Sequence, residues 1–339
     1  MAGAARVAWA AMMLGAILPG CATPPDASTG PSEPVVAAPT RVTPAPAEGE
    51  APAEPRASDD AYTPGTPPER PADSTTTTTA QKADRMMSLA REASAARDWP
   101  AAAEIYGTVT QIDPDRAEAW HRLGVSLRKL GRLDDAMLAS RQALELDPRH
   151  AAALTNVGNI LYRQGDHQGA LRELRRAVDL DPQLAEGHLT LGVALHVTGQ
   201  YEEATREYLR SLELDPGSAI AHNNLGIIHE LSDRPDEAIL HFREAIRIDP
   251  DYAAPRHGLG KLLWLSGEQE EGLAQMQESV RLDPGFAVAH FNVGQVLWQS
   301  GELEAAREYL RRARDLGYDV PPEMLEELDK LLSEGGTGP

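Results

Sequence analysis

A single thiol is the first group in this 339-residue chain that could do chemistry of its own. Cys21 follows an apolar run, Val7–Leu18, and precedes a segment rich in proline, alanine and threonine. One cysteine cannot form an internal disulfide, and it cannot supply a zinc site built on several thiolates. Its position at the end of the apolar run indicates a specific chemical use of the thiol.

The familiar signatures of catalysis are incomplete. His229-Glu230 begins like the zinc-protease motif H-E-x-x-H, but Asp233 stands where the second histidine is required. Gly260-Lys261 lacks the earlier glycine and the following Ser or Thr of a phosphate-binding loop. No G-x-S-x-G motif occurs. We therefore predict that the chain is not an enzyme and has no catalytic residue, cofactor or metal.

The first twenty residues have the layout of a secretory signal peptide. A short segment with one positive charge, Met1–Arg6, precedes the apolar run, which is too short to cross a membrane as a helix. An ordinary signal peptide could be cleaved at Gly20-Cys21-Ala22, which would leave a free secreted protein. The lone cysteine at this boundary favours a second interpretation.

Leu18-Pro19-Gly20-Cys21 resembles the lipobox of bacterial lipoproteins, although Pro19 departs from its pattern. The resemblance implies that the chain is cut before Cys21 and that the thiol carries a diacylglyceryl group. Ala22, in place of Asp, favours the outer membrane, with the protein facing the periplasm. Two or more acyl chains are needed for durable attachment.

Residues 21–80 show no apolar period and are predicted to form a disordered tether. The whole chain has a formal net charge of −20. Such a charge repels phosphate backbones, so nucleic acid is not expected as a partner.

A repeat fills the rest of the sequence. Asp-Pro recurs every 34 residues, at 113–114, 147–148, 181–182, 215–216, 249–250 and 283–284. Glycines keep the same interval at 124, 158, 192, 226, 260 and 294. A second glycine set occupies 131, 165, 199, 267 and 301, with Asp233 at the missing place.

Each unit predicts two helices. In residues 117–150, Leu123 and Leu127 fall on one face of a first helix, which Gly131 can end because glycine adopts positive φ. Pro148 stops the second helix, since it lacks an N–H and disfavours the helical conformation before it.

The pattern resembles the tetratricopeptide repeat (TPR) family, through Trp120-x2-Leu123-Gly124, Ala136 and Pro148. Six clear repeats cover 117–320, and a weaker first repeat covers 83–116. The resemblance implies an all-α TPR solenoid superhelix, with the array over 81–320 and a capping helix and tail over 321–339. His188, His222 and His290 recur at a single repeat position, which favours packing over metal binding.

In TPR proteins the first helices line a concave groove that binds a peptide or protein. The groove positions predicted here are Asn156, Asn159, Tyr162, Arg163, Thr190, His196, Asn223, Asn224, His257, Lys261, Trp264, Asn292, Gln295 and Trp298. Asn156, Asn224 and Asn292 share one repeat position and are similar to the asparagine ladder of O-linked GlcNAc transferases. Simple surface polarity is the alternative interpretation of these three residues.

Three functions fit these features. The favoured one is a membrane-tethered scaffold of the bacterial cell envelope, of the kind that assists assembly of a pilus, a secretion system or an outer-membrane machine. The second is the non-catalytic, substrate-recruiting subunit of a cell-wall hydrolase or glycosyltransferase complex. The third is a chaperone for unfolded envelope proteins.

Overall fold

The computed structural model describes the backbone of residues 74–335 and the side chains from Thr79 onward. Within that range the chain forms fifteen helices and no strand, which confirms the predicted all-α fold. The predicted signal peptide, Cys21 and the tether up to Asp73 lie outside the described residues. The helices are α1 Ser74–Ala95, α2 Trp99–Ile112, α3 Ala117–Lys129, α4 Leu133–Leu146, α5 Ala151–Arg163, α6 His167–Leu180, α7 Ala185–Val197, α8 Tyr201–Leu214, α9 Ala219–Leu231, α10 Pro235–Ile248, α11 Ala253–Ser266, α12 Gln269–Leu282, α13 Ala287–Gln299, α14 Leu303–Asp315 and α15 Pro322–Ser333.

The helices pair in the order that the repeat predicts. Each first helix packs on the second helix of its own repeat, from α1 with α2 to α13 with α14, so the weaker first repeat also folds as a pair. First helices of neighbouring repeats are also in direct contact: α3 contacts α5, and α9 contacts α11. We call the surface formed by the first helices the inner face. None of the helices in the described range has the length and apolar character needed to cross a bilayer.

The described residues separate into two compact units. The N-terminal unit comprises residues 74–180 with α1–α6, and the C-terminal unit comprises residues 181–335 with α7–α15. Tyr106 is fully buried in the first unit, as is Phe242 in the second. Burying an aromatic side chain of this kind contributes roughly 1.5–3 kcal/mol to the free energy of folding.

Second helices end at the Asp-Pro pairs, as predicted. Helix α4 ends at Leu146, and Asp147 has left the helix with φ −135° and ψ 94°. Asp215 and Asp249 adopt nearly the same extended conformation after α8 and α10. The proline that follows each aspartate disfavours helical backbone at that aspartate, so the helix ends there.

The turn between the two helices of a repeat needs one residue with positive φ. Gly131 has φ 75°, and Asp233, at the same repeat position, has φ 56°. The first repeat has Arg97 there, with φ 58°. This substitution was not foreseen from the sequence, and it places a side chain with a Cβ in a conformation that costs L-residues roughly 1–2 kcal/mol.

We expect Arg97→Gly and Asp233→Gly each to raise the free energy of unfolding by up to about 1 kcal/mol, because glycine adopts positive φ without this steric cost. Ser232→Gly is the matched control. Ser232 has φ −94°, and its hydroxyl donates to the carbonyl oxygen of Ile228 at 2.7 Å. Glycine there adds flexibility to the unfolded chain and removes this hydrogen bond, so it should destabilise the protein. Urea unfolding followed by circular dichroism measures all three variants. If Asp233→Gly and Ser232→Gly change stability equally, the strain argument is wrong.

Close approach of the two helices depends on small residues. A Cβ placed on Gly260 would lie 2.6 Å from the carbonyl oxygen of Gly272, on the facing helix α12. A Cβ on Gly124 would lie 2.5 Å from Ser140 Oγ. The absence of a Cβ at these glycines of the first helix therefore lets the two helix axes approach each other.

Helix α1 begins earlier than the sequence predicted. The tether was expected to continue to residue 80, yet the helix starts at Ser74 and includes the threonines at 75–79. The buried residues Ala83, Met87 and Ala90 secure the helix further along. Once a helix is nucleated, each added residue needs only one more hydrogen bond, so α1 extends through residues of modest helix propensity.

Helix α15 packs on the last repeat. Its Met324, Leu325 and Leu328 are buried in one cluster with Leu310 and Ala313 of α14. The opposite side of α15 carries exposed acidic residues and Lys330. This arrangement is that of a helix that covers the apolar end of a repeat stack, as the sequence predicted.

Candidate partner-binding groove

All fourteen predicted groove residues lie on first helices. Four belong to α5 of the N-terminal unit, and the other ten belong to α7, α9, α11 and α13 of the C-terminal unit. Ten of the fourteen are partly exposed. The four buried residues are Asn156, Thr190, Asn223 and Gln295.

Asn156, predicted as a groove residue, is buried and is not open to a partner. Its Nδ2 donates to Ser140 Oγ at 2.8 Å, and its Oδ1 accepts from Arg128 Nε at 2.5 Å. Arg128 also donates to Asn159 Oδ1 at 3.2 Å. The amide therefore joins helices α3, α4 and α5. Since Asn156 is only 3% exposed, Asn156→Ala would leave buried groups unpaired and destabilise the N-terminal unit.

Thr190 also uses its side chain within the fold, in a hydrogen bond to the backbone of its own helix. Its hydroxyl donates to the carbonyl oxygen of Glu186, one turn earlier in α7, at 2.8 Å. Asn224 and Asn292 keep part of their side chains exposed on the inner face. Asn292 Nδ2 donates to His257 Nε2 at 2.8 Å, which connects α13 to α11.

A cavity of about 280 Å³ opens on the inner face between α9 and α11. Its apolar walls are Ile227 and Leu231 of α9, Ala254 of α11, Phe242 below them, and Phe286 in the turn before α13. Its polar lining consists of Asn223, Glu230, His257 and Lys261. An apolar pocket with a few polar groups at its edge is the usual form of a binding site.

The charges at this cavity neutralise each other. Lys261 Nζ forms an ion pair with Glu230 Oε1, and the two side chains are 19% and 15% exposed. Burial, together with the charge of Lys261, lowers the pKa of His257 to about 3. His257 is therefore neutral at pH 7, so its Nε2 can accept the hydrogen bond from Asn292.

An exposed apolar row continues from this cavity along the same unit. Val197, Leu231 and Leu265 occupy one repeat position on α7, α9 and α11, and their exposed fractions are 36%, 44% and 42%. Exposed apolar side chains in a contiguous patch mark interaction sites more often than isolated ones do. The C-terminal unit thus presents an apolar inner face with little net charge.

Four stretches of the chain match family models for this type of repeat. Residues 117–150, 183–251 and 257–319 match models described as tetratricopeptide repeat, and residues 158–199 match one described as TPR repeat. The chain belongs to the tetratricopeptide repeat family. No curated protein gives a sequence match to it.

Solved TPR structures share the fold at low sequence identity. A tetratricopeptide repeat protein from Parabacteroides merdae has a TM-score of 0.51 at 20% identity, and the match covers 75% of this chain and 99% of the other. The pilF protein of Pseudomonas aeruginosa has a TM-score of 0.56 at 20% identity, and the match covers 64% of this chain and 97% of the other. The APC/C hetero-tetramer Cut9–Hcn1 has a TM-score of 0.59 at 18% identity, and the match covers 67% of this chain and 44% of the other.

The apolar part of this TPR groove was missed in the sequence. Ile227 shares a repeat position with the predicted residues Asn159 and Lys261, and Leu231 shares one with Arg163. Ala254 lines the same cavity from α11. The prediction covered only polar and aromatic side chains on the first helices. Phe286 precedes its helix, and no repeat position indicated that its ring would lie beside His257, with centroids 5.2 Å apart.

The histidines at one TPR position have a use beyond the packing that was predicted. His188 Nε2 lies 3.2 Å from the carbonyl oxygen of Pro182, and His290 Nε2 lies 3.2 Å from that of Pro284. Trp120 Nε1 donates in the same way to the carbonyl of Pro114, at 2.7 Å. At these three places the side chain therefore pairs with a backbone carbonyl of the turn between repeats, whereas His222, at the same repeat position, contacts His241 instead.

His222, His229 and His241 form a cluster on one side of α9 and α10. The Nδ1 atoms of His222 and His241 are 3.0 Å apart, and the rings of His229 and His241 stack at 5.1 Å. No group of three His, Cys, Asp or Glu side chains between residues 79 and 335 is placed to hold a metal ion. Burial, followed by the two neighbouring histidines, lowers the pKa of His241 to about 4.

We expect the TPR array to lose stability as the pH falls from about 6.5 towards 4. An unfolded histidine has a pKa near 6.5, so below that pH the unfolded state binds more protons than the folded state does. His241→Gln should reduce the loss between pH 7.5 and pH 5 by on the order of 1 kcal/mol, a value discounted because the ring is only partly buried. Urea unfolding at both pH values measures it. If the variant shows the same pH dependence of stability as the wild type, then protonation of His241 does not destabilise the folded state.

Proposed function

We propose that this chain is a protein-docking module of the bacterial cell envelope, which holds a segment of a partner protein on its inner face. TPR arrays act as protein-interaction scaffolds, and the family membership supports that class of function. The observation that carries the proposal is the cavity between α9 and α11 with the exposed apolar row beside it.

The size and lining of the cavity favour an apolar side chain of the partner. A dry cavity of about 150 Å³ is enough to hold benzene, and this one is about 280 Å³. A leucine, methionine or phenylalanine of the partner would contact Ile227, Leu231 and Phe286. Amides on the same face, such as Asn224 and Asn292, can both donate to and accept from the partner's backbone.

The envelope part of the proposal rests on the sequence before Ser74. The similarity of residues 18–21 to a lipobox supports a lipid on Cys21, and Ala22 supports an outer-membrane location facing the periplasm. The residues between Cys21 and α1 then form the link between the lipid and the TPR array. The pilF likeness is a likeness of fold, so the machine that this protein serves is left to experiment.

Ala254→Met tests the docking site. The larger side chain fills the cavity from α11, so we expect binding of the partner to weaken by tenfold or more, equivalent to about 1.4 kcal/mol. The partner is first isolated by pull-down from envelope extract with the full chain as bait, and its affinity is then measured by isothermal titration.

Ala274→Met is the matched control, because Ala274 is exposed on the second helix α12, away from the inner face. It should leave the affinity unchanged. Equal affinities for Ala254→Met and the wild type would place the partner on another surface. The identity of the captured protein separates the two cellular roles: an assembly component supports the scaffold, and a cell-wall hydrolase or glycosyltransferase supports the recruiting subunit.

Cys21→Ser tests the anchor. The hydroxyl cannot form the thioether bond to the lipid, so the variant should leave the membrane fraction and appear in the soluble periplasmic fraction. Fractionation and labelling with a radioactive fatty acid measure the change. A variant that stays in the membrane fraction, or a wild type that takes up no label, would contradict lipidation and favour the ordinary signal peptide.

A further inference from the structure

Another cavity lies in the N-terminal unit, between α2, α3 and the start of α4, and its volume is about 480 Å³. Its apolar lining includes Ala103 of α2, Leu123 and Leu127 of α3, and Leu130 in the turn after α3. None of the residues that line it is among the fourteen predicted groove residues. We call it the α2–α3 cavity, and it is separate from the cavity on which the proposed function rests.

The α2–α3 cavity is open because one repeat position holds a small side chain. Met137 occupies the position of Ala103 in the next repeat, where it belongs to one buried cluster with Val157 and Ile160 of α5. Leu171 occupies the same position on α6 and is also buried. The side chain of Ala103 is a single methyl group, so the space that a larger apolar side chain fills one repeat later stays open between α2 and α3.

The walls of the cavity suit a large apolar group. Leu127 is buried, while Leu123 and Leu130 are half-buried and keep apolar surface exposed. A cavity of about 150 Å³ is enough to hold benzene, so the α2–α3 cavity has room for the ring of an aromatic residue or for a methionine or leucine side chain. Transfer of such a side chain from water to these walls is favourable because apolar surface is buried on both partners.

Three charged side chains at the cavity leave one negative charge unbalanced. Arg132 Nε donates to Asp135 Oδ2 at 2.8 Å, so these two charges neutralise each other. Glu104 is exposed, and its carboxylate has no hydrogen bond or ion pair with any residue of the described range. Lys129 lies over the ring of Trp99, and neither residue lines the cavity. The edge of the cavity therefore favours a cationic group over an anionic one.

We propose that the α2–α3 cavity is a second protein-docking site, which binds a partner segment with a large apolar side chain next to a lysine or arginine. The apolar side chain enters between α2 and α3, in the place that Met137 fills one repeat later. The basic residue pairs with Glu104 at the edge. An exposed ion pair adds little affinity, so Glu104 acts mainly on selectivity and rejects acidic segments.

Selection from a phage-displayed library of random dodecapeptides tests the proposal. The full chain is the bait, and the Ala103→Met chain removes peptides that bind elsewhere, because its larger side chain fills the cavity. The enriched peptides should carry an aromatic residue, leucine or methionine next to a lysine or arginine. The affinity of the most enriched peptide, measured by fluorescence anisotropy, should fall tenfold or more in Ala103→Met. Replacing the apolar residue of the peptide by alanine should have the same effect.

A second pair of variants tests the charge without altering the cavity walls. Glu104→Lys should weaken binding of the same peptide about tenfold, and a peptide with glutamate in place of its basic residue should regain the lost affinity on Glu104→Lys. Glu145→Lys is the matched control, since it makes the same charge change at an exposed position in the last turn of α4 and should leave the affinity unchanged. Ala254→Met should also bind the peptide normally, which separates this site from the one between α9 and α11.

Three results would overturn the proposal. If no enriched peptide loses affinity in Ala103→Met, and that variant unfolds at a higher urea concentration, the cavity is a packing defect. If Glu104→Lys and Glu145→Lys bind the peptide equally well, the carboxylate of Glu104 is not part of a site. If the wild type sediments as a dimer and Ala103→Met as a monomer, the cavity holds a second copy of this chain and not a segment of another protein.

Discussion

The fold depends on one close approach, made in each of the six repeats from residue 117 onward between a glycine of the first helix and the residue sixteen positions later in the second. Gly124 faces Ser140, Gly226 faces Phe242, and in the last repeat Gly294 faces Leu310. The facing side chain varies from a hydroxymethyl group to an aromatic ring, and the missing Cβ leaves room for each. Because the two axes approach so closely, neighbouring repeats can stack through their first helices, and those helices form a continuous inner face within each unit.

The regular features of the fold could be predicted because they recur. The helix ends at Asp-Pro and the turn at Asp233 follow from local backbone preferences repeated at a fixed interval. The two features that were missed depend on something other than the period. Arg97 has positive φ, which its Cβ disfavours, so this conformation must be stabilised by the packing of its neighbours. Helix α1 starts at Ser74 because it extends from a packed segment further along, which local propensity does not report.

The candidate site was predicted less well than the fold. Repeat position specifies which face of the helix a side chain lies on. Whether that side chain is exposed to a partner depends on its contacts with the neighbouring repeat. Asn156 and Asn224 share a repeat position, yet in the preceding repeat Arg128 donates to the amide oxygen of Asn156 and Ser140 accepts from its amide nitrogen. The cavity could not be found in one repeat, because α9 supplies Ile227, α11 supplies Ala254, and a turn supplies Phe286. A site of this kind becomes visible only when the side chains of several helices are placed together.

The terminal helices at the two ends of the described chain are held by different amounts of buried apolar surface. Helix α15 closes one end with Met324, Leu325 and Leu328, whereas α1 buries little more than Ala83, Met87 and Ala90. Because these three side chains bury less apolar surface than Met324, Leu325 and Leu328 do, we expect α1 to separate from its repeat at a lower free energy than α15 does from the last repeat. Each repeat of a solenoid contacts only its neighbours, so local opening of α1 should leave the contacts around the cavity between α9 and α11 in place.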